Sequence, residues 1–261
     1  VKFGWVPDRP DYRDFGAVDN ATTAPLFHRS TYTPDRIDLR ETGFFSPVED
    51  QGDLGSCTAQ AVVGIVEYLE RKTYGNFIDH SRLFLYRASR KLYFRAKGDS
   101  PIGDTGCEIR TTIKALASFG CPPEWVWPYE PTKFDVEPSP DAYALAQTYK
   151  GLFYVKLESL QHIKAFLRIQ LPVAFGFTCY ESIDDPKTAD TGVIPVPKNG
   201  ERVVGGHAVA AVGYTDSDVI IRNSWSKKWG EDGYGYLPYW YFENKQSSDF
   251  WAVLRSGWIE L

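Results

Sequence analysis

The chain has 261 residues, 43% of them hydrophobic, which is enough apolar surface for one large core or two modest ones and excludes a largely disordered protein. A net charge of −5 and a pI near 5.5 argue against a nucleic-acid or anionic-membrane partner, and no apolar run reaches the roughly 18 residues of a bilayer span. The chain begins at Val1 and has no methionine, so its translated start is missing; a signal peptide removed earlier and a secreted or extracytoplasmic location are the expectation.

Residues 1–33 carry Pro7, Pro10 and Pro25, a charged run from Asp8 to Asp14 and the separated aromatics Trp5, Tyr12 and Phe15. Neither helical nor strand periodicity is present, so an extended arm is expected, packed on the surface through its aromatics. Asn20-Ala21-Thr22 fits a glycosylation acceptor, a triplet common by chance. Residues 34–145 read as a mainly helical domain. Helices are expected from Cys57 to Tyr74, from Ser81 to Leu92 and from Ile109 to Phe119, with a turn-rich loop from Lys97 to Gly106 and a linker from Pro131 to Asp141. Residues 146–261 read as a mainly antiparallel β domain. Strands are expected at 151–157, 172–178, 205–214 and 219–225, a short capped helix at 159–167, a turn-rich loop from Glu181 to Glu201 and an aromatic C-terminal sheet. The Asp184-Asp185 pair in that loop reads as a solvated turn.

Two places carry chemistry. Ser56 is a good N-cap, so Cys57 falls in the first helical turn, where unpaired N–H groups and the helix dipole favour a thiolate, the species that attacks carbonyls. His207 and Asn223 lie on strands flanking a turn near Thr215, and antiparallel pairing brings them opposite or diagonal to one another, a base beside the group that orients it.

Gln51, Gly55-Ser56-Cys57 opening a helix, His207-Ala208-Val209 and Asn223-Ser224-Trp225, in that order, resemble the papain-like cysteine peptidases, the family of the cathepsins. The likeness runs from about Pro34 to the C-terminus, with Trp127-Pro128-Tyr129 similar to the interdomain region and 230–235 to a late glycine-rich turn. It implies an α+β, papain-like two-domain fold: a helical left domain, an antiparallel β-barrel-like right domain, and the active site in the cleft between them. It implies a thiol protease working through a thioester on Cys57, with His207 as base and acid, Asn223 orienting it, Gln51 and the Cys57 N–H binding the oxyanion, and Trp225 shielding the Asn223–His207 bond. Gly106, Cys107, Phe175, Gly176, Gly206 and Ala208 become candidate substrate contacts. Peptide or protein substrates, a monomer, no cofactor and no metal are expected.

Departures from the pattern are Leu54, where many members have a disulfide-bonded cysteine, and Thr58, where an aromatic often follows the nucleophile. They suggest a disulfide-poor prokaryotic or viral branch. Cys107, Cys121 and Cys179 are expected as free thiols, since the helix between the first two holds them beyond the roughly 7 Å limit of a bridge. The four histidines are scattered, and His28, His80 and His162 default to surface or capping roles. For the arm, two readings stay open: a short inhibitory pro-segment over part of the cleft, giving a zymogen, or a structural arm remote from it. The alternatives to a peptidase are a catalytically silent peptide-binding module of the same shape, or a thiol acyltransferase of transglutaminase type, in which an Asp usually orients the histidine.

Overall fold

The structure, a computed structural model, describes residues 2–17, 34–96, 98, 103–149 and 153–254. The glycosylation triplet, His28, the second half of the arm and most of the 97–102 loop lie outside them. Helix α1 (Cys57–Tyr74) is the central element: all its residues from Cys57 to Glu70 are buried, because it is covered on every side. Helices α2 (Arg82–Arg95) and α3 (Ile109–Phe119) pack against it and against each other. Ser81 caps α2 by accepting from the Phe84 N–H, and Gly75 closes α1 in the left-handed conformation. The segment expected as a linker contains a 3₁₀ turn at Pro131–Lys133 and helix α4 (Pro140–Ala146), which Ser139 caps and Pro140 starts.

Strands β1 (Ile37–Asp38), β2 (Phe153–Leu157), β3 (Val173–Tyr180), β4 (Val203–Tyr214), β5 (Asp218–Arg222), β6 (Tyr234–Pro238) and β7 (Ser247–Leu254) form one antiparallel sheet. Its order is β2-β7-β3-β4-β5-β6, with β1 attached to β4. This is the α+β fold expected, with α1 lying across β4, so the start of the helix faces the middle of the sheet. Helix α5 (Leu160–Arg168) connects β2 to β3 and is capped by Ser159.

Two further short helices were not foreseen. The Glu181–Glu201 loop contains α6 (Pro186–Thr191), begun by a proline and ended by left-handed Gly192. Trp240–Glu243 forms α7 instead of continuing the aromatic strand. His80 also departs from expectation: it is buried, with Nδ1 on the Cys121 carbonyl (3.0 Å) and Nε2 on Glu70 (3.1 Å). His162 does cap, its Nδ1 accepting from the Glu158 N–H at the start of α5. All four cysteines are buried free thiols. No helix among the described residues is long and apolar enough to cross a membrane.

Candidate active site

The register of β4 with β5 (Ala210 opposite Arg222) extends to set His207 diagonal to Asn223. His207 Nε2 donates to Asn223 Oδ1 at 2.8 Å, and the same oxygen accepts from the Ser224 N–H at 2.8 Å. With its proton on Nε2, the neutral ring keeps a lone pair on Nδ1, which is buried and has no hydrogen-bond partner among the described residues. Trp225 stacks on the imidazole with centroids 4.5 Å apart.

The loop before Cys57 is held by the sheet. The Gln51 N–H donates to the Ser224 carbonyl (2.9 Å), and Tyr129 Oη donates to the Gln51 carbonyl (3.0 Å) while sharing a hydrogen bond with Ser56 Oγ (2.6 Å). That engagement takes Ser56 away from the capping bond expected of it. Ser224 Oγ donates to Gln51 Oε1 at 2.6 Å, leaving Nε2 to donate to the Leu54 carbonyl (2.8 Å) and to the arm. Sequence reasoning missed Ser224 in this role, although it lies inside the Asn-Ser-Trp motif.

Peptide backbone already crosses this surface. Gln51 Nε2 donates to the Lys2 carbonyl (3.1 Å), the Gly4 N–H faces Cys57 Sγ, and the Gly4 carbonyl accepts from the Cys107 N–H (2.9 Å). The Trp5 N–H donates to the Gly206 carbonyl and the Val6 N–H to the Cys107 carbonyl, both at 3.1 Å. The chain lies so close that a Cβ on Gly106 would come 2.1 Å from the Gly4 carbonyl oxygen, and one on Gly4 would come 2.0 Å from that of Gly55. The Trp5 ring rests on Gly176 and Gly206, where added Cβ atoms would fall 2.0 and 2.7 Å from it. Its Nε1 donates to Asp249 Oδ2 (3.0 Å), which also accepts the Asp8 N–H (2.8 Å). Asp249 was not foreseen: it sits at φ 58° in an irregular stretch of β7, and such kinks give no sequence signal.

Gly106, Cys107, Gly176 and Gly206 therefore all meet this segment through backbone or bare surface. Phe175 does not join them. Alternation along β3 turns it to the other face, where it is buried against Phe177, Phe250 and the partly buried Phe242. Ala208 contributes its N–H, directed at Cys57 Sγ.

The electrostatics differ from the sequence expectation. Burial pushes the Cys57 thiol up to about 11, outweighing the N–H groups of Ala208, Gly4, Thr58 and Cys57 that favour the thiolate. Burial likewise pushes His207 down to about 4, against the Asn223 hydrogen bond. The arm supplies part of that burial: the Phe3 ring stands edge-on to both His207 and Trp225, at 6.4 and 6.3 Å. Covered in this way, sulfur and imidazole both rest neutral.

The chain matches the model of the papain family cysteine proteases over residues 33–240. It is 35% identical, over 96% of its own length and 86% of the other, to an uncharacterised peptidase C1-like protein of Acanthamoeba polyphaga mimivirus. Papain of Carica papaya is 27% identical over 77% of this chain, which spans 54% of papain's length. Among solved structures, xylellain, a cysteine protease from Xylella fastidiosa, superposes with a TM-score of 0.82 at 33% identity, covering 97% of this chain and 96% of that one.

Proposed function

Since the chain belongs to the papain family of cysteine proteases, we propose that it cleaves peptide bonds with Cys57 as nucleophile and that its own arm is an inhibitor lying in the substrate path. Sγ adds to the scissile carbonyl while its proton passes to His207 Nδ1, and Asn223 Oδ1 steadies the imidazolium through Nε2–H. Gln51 Nε2 and the Cys57 N–H receive the oxyanion. The C–N bond then breaks as His207 returns the proton to the leaving amine, and water, deprotonated by the same ring, hydrolyses the thioester. Residues 34–145 supply the nucleophile and 146–261 the base and its partner.

The observation that carries this reading is the Lys2 carbonyl on Gln51 Nε2 with the Gly4 N–H at Cys57 Sγ: a peptide backbone lies where a substrate must. A silent binding module has no use for a histidine nitrogen left free to take a proton. The test is an active-site-directed epoxide. It is expected to label Cys57 alone, at a rate that collapses in His207→Ala; equal labelling of all four cysteines with no peptide hydrolysis would refute the reading.

The arm is fastened by a carboxylate pair. Burial and the neighbouring Asp249 push Asp8 up to about 7, against its hydrogen bond from Trp251 Nε1 (2.7 Å) and the charge of Arg110, while Glu108 adds to the rise. In a released arm Asp8 titrates near 4. The docked pKa is the higher one, so the contribution of Asp8 to docking is complete below about pH 4 and is lost as pH rises through about 7. Inhibition by the arm is expected to relax over that window. Asp8→Asn should flatten the change, with activity at pH 8 below the parent chain by up to about 10³-fold and the gap closing as pH falls toward 4. Initial rates on one fluorogenic peptide across this range check it.

A further inference from the structure

Lys2 places two groups at once. Its carbonyl oxygen lies 3.1 Å from Gln51 Nε2, and its ammonium lies 2.6 Å from Asp104 Oδ2. One lysine side chain therefore spans the distance from the carbonyl-binding amide to this carboxylate.

Asp104 is built in. Its side chain is only 10% exposed, and its two oxygens accept from the Gly55 N–H at 3.1 and 3.0 Å. Oδ1 also accepts from Tyr86 Oη, whose oxygen in turn accepts from the Gly106 N–H at 3.0 Å. The carboxylate is thus fixed to two segments on the helical side of the cleft: Gly55, two residues before Cys57, and, through Tyr86, the Gly106–Cys107 segment that pairs with the arm. Lys2, by contrast, is 44% exposed and leaves with the arm.

We propose that Asp104 selects substrates with lysine or arginine at the residue whose carbonyl Cys57 attacks, Lys2 being the chain's own occupant of that place. The proposal rests on the roles given above to Cys57 and Gln51. When the arm departs, Oδ2 loses its cationic partner and a substrate cation restores the charge-assisted bond. A neutral side chain of the same length leaves the largely buried carboxylate without a counter-charge, and an acidic one meets repulsion. A carboxylate that only fastened Gly55 to Tyr86 would be indifferent to substrate charge.

The experiment uses the full chain carrying Trp5→Ala to loosen the arm, and two fluorogenic peptides that differ only in arginine or citrulline at that residue. The kcat/KM ratio is expected to favour arginine about tenfold or more, to fall with added salt, and to approach one in Asp104→Asn. Because the ratio is taken within each variant, a general loss of activity cancels. Asp104→Glu, which keeps the charge, is expected to retain a preference for arginine and stands in if Asp104→Asn cleaves neither peptide. A parent ratio near one, or a preference that survives Asp104→Asn or vanishes in Asp104→Glu, overturns the proposal alone. Failure of the parent to hydrolyse any peptide overturns the peptidase reading beneath it.

Discussion

Cys57→Ser, in a chain whose arm has been loosened, is expected to lower kcat/KM for a peptide substrate by about 10⁴-fold or more. A hydroxyl in the same place is a far weaker acid than a thiol and a poorer nucleophile at neutral pH, so an imidazole able to take the thiol proton has far less driving force to take the hydroxyl's. His207→Ala is expected to cost a comparable factor, since it leaves the thiol without an acceptor. The double variant should lose little more, because the two groups act as one unit. Gln51→Ala removes a single oxyanion donor and is expected to cost about 10²- to 10³-fold in kcat. Steady-state kinetics on all four chains, with circular dichroism to confirm folding, decide the matter. A Cys57→Ser chain retaining a few per cent of the parent rate would assign the reaction to another group.

Loosening the arm is expected to act in the opposite direction. Trp5→Ala removes a large ring from the floor formed by Gly176 and Gly206, together with its hydrogen bond to Asp249. The combined loss is about 3 kcal/mol, or roughly a hundredfold in the docking equilibrium. Peptidase activity of the full chain should rise by up to that factor, until the arm is fully released. Gly4→Val is expected to go at least as far, because its Cβ would lie 2.0 Å from the Gly55 carbonyl oxygen, and backbone against backbone has no room to yield. Release should also show in the thiol. Water reaching the cleft relieves the burial that holds Cys57 at about 11, so alkylation of Cys57 in Trp5→Ala should gain rate at pH 7 and its midpoint should fall. Unchanged turnover and an unchanged alkylation profile in both variants would show that the arm does not inhibit.

What was legible in the sequence was what depends on local pattern. The apolar spacing after Cys57 marks a central helix, and a short hairpin forces His207 and Asn223 to be neighbours whatever the rest of the sheet does. The same counting failed at Phe175, because deciding which face of β3 is the core requires knowing that β7 pairs beside it and that the Phe242–Phe250 pair packs on that face. It failed for Asp249 because the re-aiming of its carboxylate comes from a left-handed kink in β7 that any residue string could conceal. The thiolate expected from the helix dipole was overruled by burial, to which residues 3 to 5 contribute; an arm without periodicity gives no hint of where it docks. His80 illustrates the same limit: a buried network joining Glu70 and Cys121 is assembled from three separate segments.

The strap of hydrogen bonds from Gly55 through Asp104 and Tyr86 to Gly106 ties together two segments on the helical side of the cleft without sulfur. All four thiols are free, so nothing in the scaffold depends on an oxidising milieu. Reductants strong enough to keep a catalytic thiol from being oxidised would leave the architecture around it untouched, and the same groove can form in reducing or oxidising surroundings alike.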